Sequence, residues 1–176
     1  AVAVQKVGSQ IESISWMTAE GYAAALNSFV AQNHGAKNTD RIREGYRLSM
    51  IVMLSWGVFC SLVLIVFPQL IFQVFIQEAE VLPMGVDYLR ILGVSQLFMC
   101  MEITTAGAFS GLGKTLPPSI VSITLTGARI PMAILLGRWL GLNGVWWAIT
   151  ISSIGKGIVL LGWFLKDMKR AGMPER

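Results

Sequence analysis

The chain has 176 residues, of which 54% are hydrophobic and only 14% charged, where a soluble domain carries about 25% charged residues. This balance excludes an ordinary soluble domain and indicates a membrane protein. The net charge of +4 does not point to nucleic acid, because the basic residues stand at the ends of apolar runs rather than along one polar face.

The first element is a long helix over 4–33. Along the stretch from Lys6 to His34, the residues Lys6, Ser13, Glu20, Asn27 and His34 recur at steps of seven, and seven residues fall about 20° short of two helical turns, so the five form one slowly drifting polar stripe. Glu20 lies near the middle of this helix. A carboxylate facing lipid there costs on the order of 2.5 kcal/mol or more, so the stripe is expected to face protein or a water-filled cavity. The chain begins at Ala1 without Met and has no signal-peptide pattern before Lys6, and a fragment of a longer protein is the expectation.

Residues 33–47 read as a polar connection rich in Lys37, Arg41, Arg43 and Arg47, the mark of a cytoplasmic loop. The uncharged run 48–67 is long enough to span a bilayer, and Pro68 closes it. Residues 69–76 are too short to span and are placed at the outer interface, followed by the acidic Glu78, Glu80 and Asp87. A third span is expected over 83–110, with Arg90 near its outer end and Glu102 in its inner half. Gly111, Gly113, Pro117 and Pro118 then punctuate a turn around Lys114.

The last two spans are 119–137 and 145–165. The first holds Arg129 near its middle and Pro131, which should kink the helix or open its hydrogen-bond ladder. The second holds Lys156. With these boundaries nine of the 14 Lys and Arg residues fall on one side (Lys37, Arg41, Arg43, Arg47, Lys114, Lys166, Lys169, Arg170, Arg176), three on the other (Lys6, Arg90, Arg138) and two within spans. The expected fold is therefore an all-α polytopic membrane bundle of five transmembrane helices, N-terminus out and C-terminus in the cytoplasm.

Glu20, Glu102 and Arg129 then stand near the bilayer midplane on three helices, with Lys156 slightly deeper. Two readings stand side by side: a permanent ion pair that holds the bundle in register, or a glutamate that loads and releases a cation or proton. Ser13 and Asn27 share the stripe of Glu20 and either line a cavity or bond between helices. Trp16 and Met17, with Phe98, Met99 and Met101, either pack against lipid and core or form an adaptable apolar wall for ligands. Trp139, Trp146 and Trp147 fit an interfacial aromatic belt. Gly107, Gly111 and Gly113 read as close helix packing and a turn. Cys60 and Cys100 lie inside apolar runs without disulfide or metal spacing, and one histidine with no partner cluster supports neither a metal site nor a membrane-embedded enzyme.

The chain resembles the C-terminal half of a multidrug and toxic compound extrusion (MATE) transporter. Ala31-Gln32-Asn33-His34-Gly35-Ala36 is close to the GQNxGA pattern that closes the second helix of each half of that family, with Ala31 in place of its first glycine. Glu102 within MCMEITTAGAFSGLGKT and Arg129-Ile130-Pro131 are similar to segments of the tenth and eleventh helices. The resemblance implies that the whole chain is helices eight to twelve of a twelve-helix transporter, a part of its C-terminal six-helix lobe.

The resemblance further implies a bacterial inner-membrane antiporter that exports cationic or amphipathic compounds in exchange for H⁺ or Na⁺ by alternating access. Glu102 would then serve in coupling and Glu20 would support it, with Asn27, Trp16, Ser13 and Arg129 lining the substrate path. No cofactor other than the coupling ion is implied. The expected partners are membrane lipid, the exported compound and the missing N-terminal half of the transporter. Two alternatives are a lipid-linked oligosaccharide flippase of the same superfamily, which would be expected to carry more basic residues along its cavity, and a structural membrane subunit without transport.

Overall fold

The computed structural model describes residues 2–75 and 81–171. Among the described residues seven α-helices follow one another: α1 (Val2–Gly35), α2 (Thr39–Val66), α3 (Pro68–Phe75), α4 (Leu82–Gly93), α5 (Gln96–Gly111), α6 (Leu116–Leu140) and α7 (Leu142–Ala171). No strand occurs among the described residues. Ile76, Glu78, Glu80 and Arg176, to which the sequence assigned sides of the membrane, lie outside them.

Helix α5 is the axis of the bundle and packs against α1, α2 and α7, while α6 leans on α7. Its buried residues Cys100, Thr104, Thr105, Ala108 and Phe109 recur at three and four positions, the spacing that keeps side chains on neighbouring faces of a helix. Phe109 meets Phe164 of α7 edge to face, with centroids 5.1 Å apart. Around this core the outward faces stay apolar and exposed, as at Phe59, Leu62, Ile123 and Leu135. A surface of this kind suits contact with acyl chains rather than water.

Three expected boundaries change. The connection placed at 33–47 is helical from Thr39 onward, because Asn38 caps α2 by accepting the Arg41 N–H at 3.1 Å. Ile42 and Tyr46 bury one face of the helix before the apolar run begins, and Ser49 and Met50 continue that face into it. At its other end α7 runs to Ala171, six residues beyond the expected stop.

The helix expected over 83–110 is instead two, α4 and α5, bent by 46° at Val94 and Ser95. Two hydroxyls compete there for backbone carbonyls. Ser61 of α2 donates to the Gly93 carbonyl at 2.6 Å, and Ser95 donates to the Leu92 carbonyl at 2.8 Å. Carbonyls engaged in this way leave the helical ladder, a recognised cause of kinks. By contrast, α6 runs through Pro131 as one helix. Proline has no N–H, so the Gly127 carbonyl has no helical partner, but the helix does not end.

By length and composition α2, α6 and α7 can cross a membrane, and α4 and α5 reach that length and apolarity only when taken together as one bent pair. Helix α1 has 34 residues, ample length at about 1.5 Å per residue, yet it stands outside that set because its polar residues dilute the apolar ones. Basic side chains from three elements gather at one end. Lys114 Nζ lies 2.7 Å from Asp167 Oδ2 and Arg43 donates to the Met168 carbonyl, so the turn after α5, the start of α2 and the end of α7 share that end.

Candidate functional site

Close approach between α1 and α5 creates the site. Gly107 and Gly111, four residues apart on α5, face Ala23, Asn27 and Val30 of α1. A Cβ on Gly107 would fall 2.6 Å from the Ala23 carbonyl oxygen, and one on Gly111 would fall 2.6 Å from that of Asn27. Only glycine lets the two backbones meet at this distance, the small-residue packing mode of membrane helices. The reading of both glycines as packing residues holds, and Gly113, at φ 71°, makes the turn that follows.

Beside this contact opens a cleft of about 370 Å³, bordered by Glu20, Ala24 and Asn27 from α1 and by Glu102, Ala106 and Ser110 from α5. The two glutamates that the sequence singled out, 82 positions apart, therefore border one space together with Asn27. Glu20 is exposed, and Asn27 and Glu102 are half-buried. Ser110 turns its hydroxyl back to the Ala106 carbonyl at 2.9 Å, so the polar side chains that border the cleft without bonding to their own helix are Glu20, Asn27 and Glu102.

A second close contact sets the charge behind the cleft. Gly157 of α7 lies against the Phe98 carbonyl of α5, where a Cβ would stand 2.7 Å from the oxygen. The neighbouring Lys156, itself buried, thereby reaches Glu102, with Nζ 3.8 Å from Oε1. One turn earlier on α7, Ser152 accepts the Arg129 Nε–H at 2.9 Å and donates its own O–H to the Ile149 carbonyl at 2.9 Å. Lys156 thus takes the place beside Glu102, and Arg129 is held by a neutral hydroxyl.

The remaining sequence candidates lie elsewhere. Ser13 donates to the Gln10 carbonyl of its own helix at 2.6 Å, and Trp16 is 43% exposed and does not border the cleft. His34 and Lys6, the ends of the stripe, are exposed. Among the described residues no cluster of His, Cys, Asp and Glu is suited to a metal ion.

An acidic residue of the first helix escaped the sequence reading. Glu12, one position before the stripe at Ser13, accepts a hydrogen bond from Gln96 Nε2 at 3.0 Å. Gln96, the first residue of α5, is buried, and its Oε1 has no partner among the described residues. The ring of Tyr88 covers Gly8 one turn before Glu12 and meets Trp146 edge to face with centroids 5.1 Å apart. The signal was present in the glutamine of VSQLF, a polar residue within an apolar run whose partner had to be another helix.

The MatE family model matches residues 1–135. A probable multidrug resistance protein NorM from Thermotoga maritima is 30% identical over 97% of this chain, which corresponds to 38% of that relative. The human multidrug and toxin extrusion protein 1 is 22% identical over 92% of the chain and 29% of its own length. The chain therefore spans well under half the length of these curated relatives.

Among solved structures, a MATE family transporter of the MOP superfamily in its inward-facing conformation superposes with a TM-score of 0.88 at 21% identity, covering 97% of this chain and 40% of that one. A MOP superfamily transporter from Pyrococcus furiosus, described as having a binding pocket of reversed polarity, gives 0.90 at 20% identity over 98% of this chain and 40% of its own. With a family match over most of its length and a helical architecture shared with these transporters, this multi-pass membrane chain belongs to the MatE family.

Proposed function

We propose that the chain is part of the C-terminal lobe of a cation-coupled antiporter that exports cationic or amphipathic compounds by alternating access. One observation carries this reading: Glu20 and Glu102, from helices far apart in sequence, border a single cleft with Asn27. A carboxylate in such a place attracts a positive charge and releases it when a competing cation arrives. Lys156 adds a resident competitor, since its ammonium can hold Glu102 while the cleft is empty and yield to an incoming charge.

Of the two coupling ions we favour the proton, because a metal cation such as Na⁺ takes several oxygen ligands and the cleft offers two carboxylates and one amide. An anionic cargo, as in a lipid-linked sugar flippase, is less well served. Lys156, the cation beside the cleft, is already occupied by Glu102.

The test is Glu102→Gln in the full-length protein, reconstituted in vesicles and assayed for efflux of a cationic dye under imposed pH and Na⁺ gradients. Loss of gradient-driven efflux is expected. Efflux that keeps its full dependence on either gradient would defeat the assignment.

A further inference from the structure

At the basic end of the bundle, α2 and α7 enclose a groove of about 400 Å³, separate from the cleft. Its floor is carbon. Tyr46 and Phe164 lie there with ring centroids 4.1 Å apart, and the Tyr46 hydroxyl is engaged with Thr105 Oγ1 of α5 at 2.8 Å. Leu54 and Leu161 continue the apolar wall inward, roughly 10 Å from Arg47 at 1.5 Å per residue. Leu165 forms the lip and is 48% exposed, an apolar edge suited to acyl chains rather than to water.

The rim is cationic, formed by Arg43, Arg47 and Lys169. Arg43 is fixed by its hydrogen bond to the Met168 carbonyl, which joins the start of α2 to the end of α7. Its contact with Asp40 is 3.9 Å long and the carboxylate is 98% exposed, so little of its charge is neutralised. Among the described residues neither Arg47 nor Lys169 forms an ion pair. Three cations crowd the mouth of an apolar slot, and among the described residues no carboxylate borders it.

We infer that this groove binds an anionic phospholipid of the membrane leaflet at the basic end. The phosphate sits among Arg43, Arg47 and Lys169, where guanidinium forks match phosphate oxygens, and one acyl chain lies along Tyr46, Phe164 and Leu161. Basic pockets between membrane helices select anionic headgroups in this way. A zwitterionic lipid brings the same phosphate with an ammonium that the rim repels, and a cationic export substrate is repelled outright. The lipid bridges α2 and α7.

The test is lipid retention by the full-length purified protein, counted by native mass spectrometry after exposure to mixed phosphatidylglycerol and phosphatidylcholine. The wild type is expected to keep one phosphatidylglycerol in preference to phosphatidylcholine. Arg47→Gln with Lys169→Gln, both on exposed side chains and expected to leave folding intact, should lower that preference about tenfold. Leu161→Trp should fill the slot and expel the chain while the rim charges remain. Equal retention of the two lipids by the wild type would overturn the inference, as would an undiminished preference in the double variant. Displacement of the lipid by glycerol phosphate alone would also overturn it, since a headgroup site has no need of the groove.

Discussion

Lys156 of α7 places its ammonium 3.8 Å from the carboxylate of Glu102 on α5, and the same carboxylate borders the cleft it shares with Glu20. One side of Glu102 therefore meets a fixed cation and the other an open space. A glutamate placed in this way can hold a structural pair and a mobile charge in turn.

Separating those two roles takes paired substitutions. Lys156→Met should cost about 2 kcal/mol, less than the 3–5 kcal/mol of a fully enclosed pair because Glu102 keeps its contact with the cleft. Adding Glu102→Gln should restore most of that stability while dye efflux stays absent. Thermal unfolding in detergent and efflux from vesicles, measured on the two single variants and the double, check both statements. Efflux that returns together with stability would mean that the pair only braces the bundle.

Glu20 gives the complementary case. It is exposed and forms no ion pair among the described residues. Glu20→Gln should leave the unfolding midpoint within about 0.5 kcal/mol of wild type and still lower gradient-driven efflux at least severalfold. An unchanged efflux rate would remove Glu20 from the coupling site.

The contact between α1 and α5 leaves no space for a side chain at Gly107, where a Cβ would press on the Ala23 carbonyl. Gly107→Ala should destabilise by about 1–3 kcal/mol through overpacking, and Gly107→Leu should force the helices apart. Cysteines introduced at Ala24 and Ala106, on opposite borders of the cleft, should crosslink with a short reagent in the wild-type background and fail to do so in Gly107→Leu.

The buried pair of Gln96 and Glu12 can be measured without any transport assay. Gln96→Leu removes the amide that donates to Glu12 and should cost about 1–3 kcal/mol by taking away one of the donors to a carboxylate packed among apolar side chains. Glu12→Leu combined with Gln96→Leu should recover part of that loss, and a double-mutant cycle of unfolding midpoints gives the coupling.

A similar cycle on Arg129→Ala and Ser152→Ala tests the tether between α6 and α7. The coupling should be on the order of 1.5 kcal/mol, as for a hydrogen bond with one charged partner. Efflux in Ser152→Ala should fall less than in Glu102→Gln, because Arg129 does not border the cleft.

Much of this architecture was legible in the order of residues. A bilayer fixes the length of an apolar run, so 48–67 declared a span, and a carboxylate in such surroundings is costly, so Glu20 and Glu102 stood out. The pair of glycines at 107 and 111 announced a close helix contact, because four-residue spacing puts both on one face. Family membership followed the same path, through the residues around Asn33, Glu102 and Arg129.

What the sequence did not contain was the choice of partner. The break at Ser95 depends on a hydroxyl from Ser61, 34 positions away, and no local pattern around 83–110 encodes it. Lys156 rather than Arg129 stands beside Glu102 because Gly157 allows α7 to approach Phe98. Glu12 found Gln96 by the same kind of contact. Periodicity and transfer cost act along the chain and are local, so the helices and their charged residues could be read from the sequence. Which charges meet depends on how backbones approach one another across the bundle, and only the packed structure decides that.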